Sequence, residues 1–218
     1  MLAVVVADGE PAPEDADVAK GADLVVAADG GARWLASLAL RPDLVVGDLD
    51  SLDRGEVRQL QESGTRVISH PAEKDASDTE LAIEAAIMAG ADRIVLLGAF
   101  GGSRLDHELA NLMLLAEPAF SQVDLRQQRG ATLVRCLSGN RSLTIEVGMG
   151  GTVTLLPLGG DAMGVLTRGL RYELDEETLL VGRSRGLSNV VIGEPTSVSI
   201  QAGSLLVIEI GTSMEGES

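Results

Sequence analysis

The sequence predicts two domains of different class: an α/β domain over residues 1–130, with a parallel, Rossmann-like sheet flanked by helices, then an antiparallel β-sandwich over 131–218. Three observations carry this. Up to about residue 120, short apolar or β-branched runs alternate with helix-length segments, the pattern of strand–helix–strand units around a parallel sheet. After Gly130 the rhythm changes to strand-length runs separated by glycine-rich turns, with little helical periodicity. Aspartates cluster beside glycines just after the early strands or at the starts of helices, and in an open parallel sheet those ends share one edge, where ligands bind.

The early strands are expected at 2–7, 24–28, 44–46, 66–69 and 94–97, and the helices at 32–40, 53–62, 79–89 and 106–116. The third helix opens on Ser77-Asp78-Thr79-Glu80, a capping-box pattern that puts Ser77 or Asp78 at its start, and Gly90 is its stop signal. In the fourth, Leu105, Leu109, Leu112, Met113 and Ala116 follow helical spacing and are expected to face the sheet. Trp34 and Met113 read as core. The later strands are expected at 132–137, 142–147, 152–156, 197–201 and 205–210, and 214–218 reads as a frayed tail.

Composition narrows the function. The formal charge of −16 argues against nucleic acid or anionic membranes as partners, because phosphate backbones are bound by basic surfaces. The acidic excess is concentrated in the first 130 residues, where the aspartate motifs lie. With only 2% aromatic residues, the cores must be built from Val, Leu, Ile and Ala. No apolar run approaches about 18 residues, so no membrane span is expected. The chain opens straight into its first strand without a basic region or cleavage site, and a cytoplasmic location is expected. Cys136 is alone, which excludes an internal disulfide and a cysteine metal site and leaves a buried core thiol as its expected role.

The sharpest pair is Asp48 and Asp50 in Gly47-Asp48-Leu49-Asp50-Ser51. If the backbone leaves its strand still extended, side chains two apart point the same way, and the two carboxylates would ligate one magnesium or bracket two. The alternative is an ordinary turn in which Ser51 caps the next helix. Asp75 and Asp78 frame a helix start, where backbone amides attract phosphate, with Lys74 adding a point charge. Gly101-Gly102-Ser103-Arg104 suits close approach of backbone to a phosphate, with Arg104 as a forked donor. Asp29-Gly30-Gly31, with Arg33 nearby, has the same character. His107, between Asp106 and Glu108, reads as an exposed first-turn histidine. So many carboxylates on one edge would repel one another unless a cation sat among them.

In order and spacing these motifs resemble the thiamine pyrophosphokinase family, over nearly the whole chain. The family's Ala-Asp-Gly-Gly-Ala, Gly-Asp-x-Asp-Ser, Lys-Asp-x-Thr-Asp-x-Glu and Gly-Gly-Arg-x-Asp-His elements match 28–32, 47–51, 74–80 and 101–107, followed by a helical Asn111. A Gly-x-Ser-Asn element matches Gly186-Leu187-Ser188-Asn189. Ser77 stands where Thr is usual, and Ser103 lengthens the glycine loop by one residue.

The resemblance implies transfer of the diphosphoryl group of ATP to the hydroxyl of thiamine, giving thiamine diphosphate and AMP. It implies an ATP- and magnesium-binding catalytic domain at 1–130 and a thiamine-binding sandwich at 131–218. Asp48, Asp50 and Asp78 would hold Mg2+, with Asp75 a further ligand or base. Asp29, Gly30, Lys74, Ser77, Gly101, Gly102, Arg104 and Asp106 would meet ATP, and Ser188 and Asn189 thiamine. It also implies a homodimer whose site lies between one subunit's α/β domain and the other's sandwich. The alternatives are a pyrophosphokinase of the same fold acting on another alcohol, such as a hydroxymethyl pterin, and a catalytically silent nucleotide sensor.

Overall fold

In the computed structural model, which describes residues 1–212, the first unit, Met1–Gly130, contains six parallel strands. They are β1 (Leu2–Val6), β2 (Leu24–Ala28), β3 (Leu44–Gly47), β4 (Arg66–Ser69), β5 (Arg93–Leu97) and β6 (Asp124–Arg129). Their order across the sheet is β6-β5-β1-β2-β3-β4. Helices α1 (Asp15–Lys20), α2 (Gly31–Ser37) and α3 (Arg54–Glu62) cover one face, where Ala19, Ala32 and Leu35 pack on Val4, Val6, Ala27 and Val45. Helix α4 (Asp78–Met88) covers the other, with Ala82, Ile83 and Ala86 against Ala3, Val5, Val26 and Leu96. Burial on both faces explains why β1, β2, β3 and β5 read as unbroken apolar runs rather than alternating ones.

Right-handed crossovers dictate the rest. From β1 to β4 the chain steps in one direction, so α1 to α3 share a face. The return from β4 to β5 reverses direction and puts α4 on the opposite face. The reversal leaves a crevice at the carboxyl ends of β1 and β5, the position at which open α/β sheets take ligands.

The last helix, α5 (Leu105–Leu114), corrects the expected packing face. Leu105, Leu109 and Met113 are exposed. The buried stripe is instead Asn111, Leu114 and Leu115, the two leucines packing on the α4 side of the core. Both stripes have helical spacing, and the roll that wins puts the Asn111 amide against the Ala99 carbonyl at 3.4 Å. Trp34 is partly buried against the α2 face, as expected, whereas Met113 is not core. Helix α1 and strand β6 have no counterpart in the sequence reading. In Asp124-Leu125-Arg126-Gln127-Gln128-Arg129 only Leu125 and Gln127 are buried, so no apolar run marks the strand.

The second unit, Ala131–Ser218, is all β among its described residues; the tail expected at 214–218 lies outside them. Its strands are β7 (Thr132–Ser138), β8 (Arg141–Thr144), β9 (Thr152–Pro157), β10 (Ala162–Arg168), β11 (Glu177–Leu179), β12 (Asn189–Val190), β13 (Ser197–Ile200) and β14 (Ser204–Ile210). They form two antiparallel layers, β12-β9-β14-β7 and β11-β10-β13-β8. Leu137, Val153, Leu155, Leu205 and Val207 from the first meet Ala162, Val165, Val198 and Ile200 from the second in one aliphatic core. Strand β10 escaped the sequence reading because Gly164, with φ 61°, interrupts it where its register with β11 shifts.

Strand β8 stops at Thr144, short of the expected 147, for a chemical reason. The backbone N–H groups of Glu146 and Val147 turn away from the ladder and donate to the buried Glu209 carboxylate. That carboxylate also accepts from Arg135, itself buried, whose guanidinium reaches the Thr144 carbonyl at 2.9 Å. Cys136, on β7, is half-buried rather than fully buried; burial raises its thiol pKa, and its Sγ lies 3.4 Å from the Ser138 hydroxyl.

Candidate active site

Every strand end in the first unit delivers polar chemistry to one edge. A cleft of about 530 Å³ opens there, lined among others by Asp8, Asp29, Asp48, Asp50, Lys74, Ser77, Asp78, Gly101, Gly102, Arg104 and Asn111. Most of the residues expected to bind a nucleotide are thus brought together. Gly30, Asp75 and Asp106 are not on its wall; Asp75 is exposed.

The geometry after β3 differs from an extended exit. Leu49 adopts φ 64°, a left-handed conformation, and the Asp48 carboxylate folds back to accept the Asp50 N–H at 3.2 Å. Asp48 and Asp50 therefore do not project as an alternating pair. The carboxylates that converge come from three elements: oxygens of Asp29, Asp48 and Asp78 lie within 4.8 Å of one another. Asp29 sits at φ 43° after β2, Asp48 follows β3, and Asp78 opens α4. Left-handed conformations at non-glycine residues cost energy and persist where the surroundings enforce them, often at functional sites. Gly47 makes room for the convergence: at φ 153°, a Cβ there would lie 3.0 Å from Asp78 Oδ1 and 3.1 Å from Asp29 Cβ.

Ser51 does not cap the next helix. Asp53 does, in a complete capping box with Glu56. Ser77 caps α4, its hydroxyl accepting the Glu80 N–H at 3.1 Å, which leaves Asp78 free to point into the cleft.

Lys74 lies between two members of the trio, with Nζ 3.1 Å from both Asp48 Oδ2 and Asp78 Oδ1. Burial disfavours its ammonium, but the two carboxylates outweigh burial and raise its pKa. The same ammonium holds the Asp48 carboxyl below the usual carboxylate range. Asp29 is shifted the other way: burial raises its pKa, and Asp78, Asp50 and Asp48 add repulsion. One of its oxygens, Oδ1, is buried without a hydrogen-bond partner among the described residues. One lysine cannot balance three carboxylates. The orphaned oxygen and the hard, all-oxygen donor set fit a divalent cation such as magnesium.

Across the cleft, Arg104 grips Asp106 through two hydrogen bonds of 2.9 and 2.6 Å, holding that carboxyl well below its ordinary range. Both side chains are exposed. His107 is exposed and lines the cleft. The site residue missed by the sequence reading is Asp8, after β1, whose pKa is raised by desolvation against the pull of Arg33. A signal was present: Ala7-Asp8-Gly9 repeats the Ala28-Asp29-Gly30 pattern after an equally apolar strand. Asp8 packs over Gly30, where a Cβ would lie 2.3 Å from its Oδ1.

In the second unit, Ser188 adopts φ 54° and its N–H donates to the Thr154 hydroxyl at 3.0 Å. Asn189 commits its side chain to backbone: Oδ1 accepts the Tyr172 N–H at 3.0 Å, and Nδ2 donates to the Tyr172 carbonyl at 2.7 Å. That amide ties Asn189 to the backbone of Tyr172, with little capacity left for a ligand.

Two family profiles match the chain: "Thiamin pyrophosphokinase, catalytic domain" over residues 16–126 and "Thiamin pyrophosphokinase, vitamin B1 binding domain" over 142–207. A thiamin pyrophosphokinase family protein from Enterococcus faecalis has a solved structure that is 31% identical, with TM-score 0.81 over 96% of this chain and 99% of that one. The fold is shared with thiamine pyrophosphokinase from Bacillus subtilis, at TM-score 0.85, 24% identity and coverage of 97% and 100%. Thiamine pyrophosphokinase 3 of rice, Oryza sativa subsp. japonica, is 28% identical over 77% of this chain, which spans 65% of the rice protein's length.

Proposed function

The chain belongs to the thiamin pyrophosphokinase family, and on that premise we propose that it transfers the diphosphoryl group of ATP to the hydroxyl of thiamine, giving thiamine diphosphate and AMP. The observation that carries the reading is the Asp29, Asp48 and Asp78 trio with Lys74 inserted into it, facing a glycine loop across one cleft. In this reaction the thiamine hydroxyl gives up its proton, to a carboxylate or to water, and its oxygen forms a bond to the β-phosphorus. The bond from that phosphorus to the oxygen bridging to the α-phosphorus breaks, and the electron pair leaves with AMP.

Negative charge must therefore be offset along the whole triphosphate rather than at its end alone. Asp29, Asp48 and Asp78 would hold magnesium, with Asp50 beside them. When bound, that ion supplies charge neutralisation at the phosphoryl oxygens. Lys74 adds a fixed positive charge, the N–H groups at the start of α4 and of the Gly101 and Gly102 loop approach phosphate oxygens, and Arg104, its Nε and Nη2 held by Asp106, offers its remaining N–H donors and its charge. Asp75, exposed and outside the cleft wall, is the candidate for a further metal ligand or for the base. Ser188 meets thiamine, with Asn189 beside it tied to the Tyr172 backbone. We place the working enzyme in the cytoplasm as a homodimer; no helix among the described residues is long and apolar enough to cross a membrane.

Chromatography of a reaction with ATP, magnesium and thiamine is expected to show AMP and thiamine diphosphate, without ADP, and chelation of the metal should stop it. ADP with thiamine monophosphate would overturn the mechanism. AMP formed only with another alcohol, such as a hydroxymethyl pterin, would overturn the substrate. Light scattering at assay concentration is expected to give the mass of two chains; a fully active monomer would defeat the dimer.

A further inference from the structure

The glycine loop has a carboxylate at its back. Residues 9–15 form a strap alongside it, with the Gly9 N–H donating to the Gly98 carbonyl and the Glu10 N–H to the Phe100 carbonyl, each at 2.8 Å. Glu10 packs so closely on Gly101 that a Cβ there would lie 2.8 Å from both Glu10 Cβ and Oε2. An uncompensated carboxylate at that distance opposes any phosphate brought to the loop.

The compensation comes from the end of β6. Arg129 donates from Nε to the Glu10 carbonyl at 2.9 Å, and its Nη2 lies 3.5 Å from Glu10 Oε2. The far end of the strap is fastened beside it. Asp15, fully buried, accepts the N–H groups of Ala12 and Gly130, both at 2.8 Å.

We propose that Arg129 is a positioning residue for nucleotide binding: it neutralises the Glu10 carboxylate, so that the loop of Gly101 and Gly102 accepts an anionic polyphosphate. This rests on reading that loop as the phosphate cradle. Arg129 acts through Glu10 and does not itself touch the nucleotide.

The test is calorimetric titration of the full-length protein with ATP and magnesium, with thiamine turnover of the unmodified protein assayed separately. Arg129→Ala is expected to weaken ATP binding about fivefold at low salt, on the scale of an exposed ion pair acting on a multiply charged ligand. The loss should shrink as salt is raised, because exposed charges are screened. Glu10→Gln introduced into the Arg129→Ala protein should restore binding to within about twofold of the original. Simple loss of packing would not be repaired by removing a second charge. A double variant as weak as Arg129→Ala, or a salt-independent loss, or no loss, overturns the proposal. Unmodified protein that binds no ATP overturns it together with the functional reading, whereas tight ATP binding without thiamine turnover counts against the thiamine reading alone.

Discussion

Replacing Asp48 with Asn is expected to lower kcat/KM for diphosphoryl transfer by about a hundredfold to a thousandfold, the scale of removing one preorganised electrostatic group from an active site. Asn matches Asp in size and keeps an oxygen that can accept the Asp50 N–H, so the left-handed turn at Leu49 survives. What disappears is the charge. Lys74, 3.1 Å away, then faces an amide, and the Asp29 and Asp78 pair loses the third carboxylate of its trio. Steady-state kinetics beside a thermal melt checks both parts: activity should collapse while Tm stays near that of the unmodified protein. Near-normal turnover would remove Asp48 from the reaction, and a collapsed Tm would make it a structural residue.

Replacing Glu209 with Ala is expected to cost about 3–5 kcal/mol of folding stability, the cost of breaking a buried ion pair by removing one partner. Arg135 is only 6% exposed and its Nε has no partner among the described residues, so its guanidinium would be left with Glu146 and the Thr144 carbonyl. The N–H groups of Glu146 and Val147 would lose their acceptor at the same time. Urea denaturation followed by circular dichroism measures the change. A loss below about 1 kcal/mol would place this cluster with ordinary surface pairs.

The fold class was legible because each half obeys a simple period. In the first unit, runs such as Leu2–Val6 and Leu24–Ala28 are apolar throughout because they are covered on both faces. In the second, Ser197–Ile200 alternates because one face meets the other layer. Legibility failed where that link breaks. Strand β6 buries a glutamine, β10 contains a glycine at positive φ, and β8 yields its last N–H groups to a side chain from β14. On α5 two stripes had equal helical spacing, and tertiary packing selected the one that sets Leu114 and Leu115 against the core and the Asn111 amide near the Ala99 carbonyl.

At the site, residue types and spacings alone were enough to name a carboxylate-rich edge at the carboxyl ends of the strands and the family whose motifs the chain matches. They set which side chains reach the carboxyl ends of the strands, since that follows from where each apolar run stops. Which carboxylate oxygens converge was decided by tertiary structure. That choice depends on φ at Asp29 and Leu49, on the missing Cβ of Gly47, and on the return of α4 across the sheet. These bring Asp29 beside Asp48 and Asp78 and place Lys74 between two of them. A motif reports neighbours along the chain, whereas charge compensation is a property of distances of a few ångströms between segments tens of residues apart.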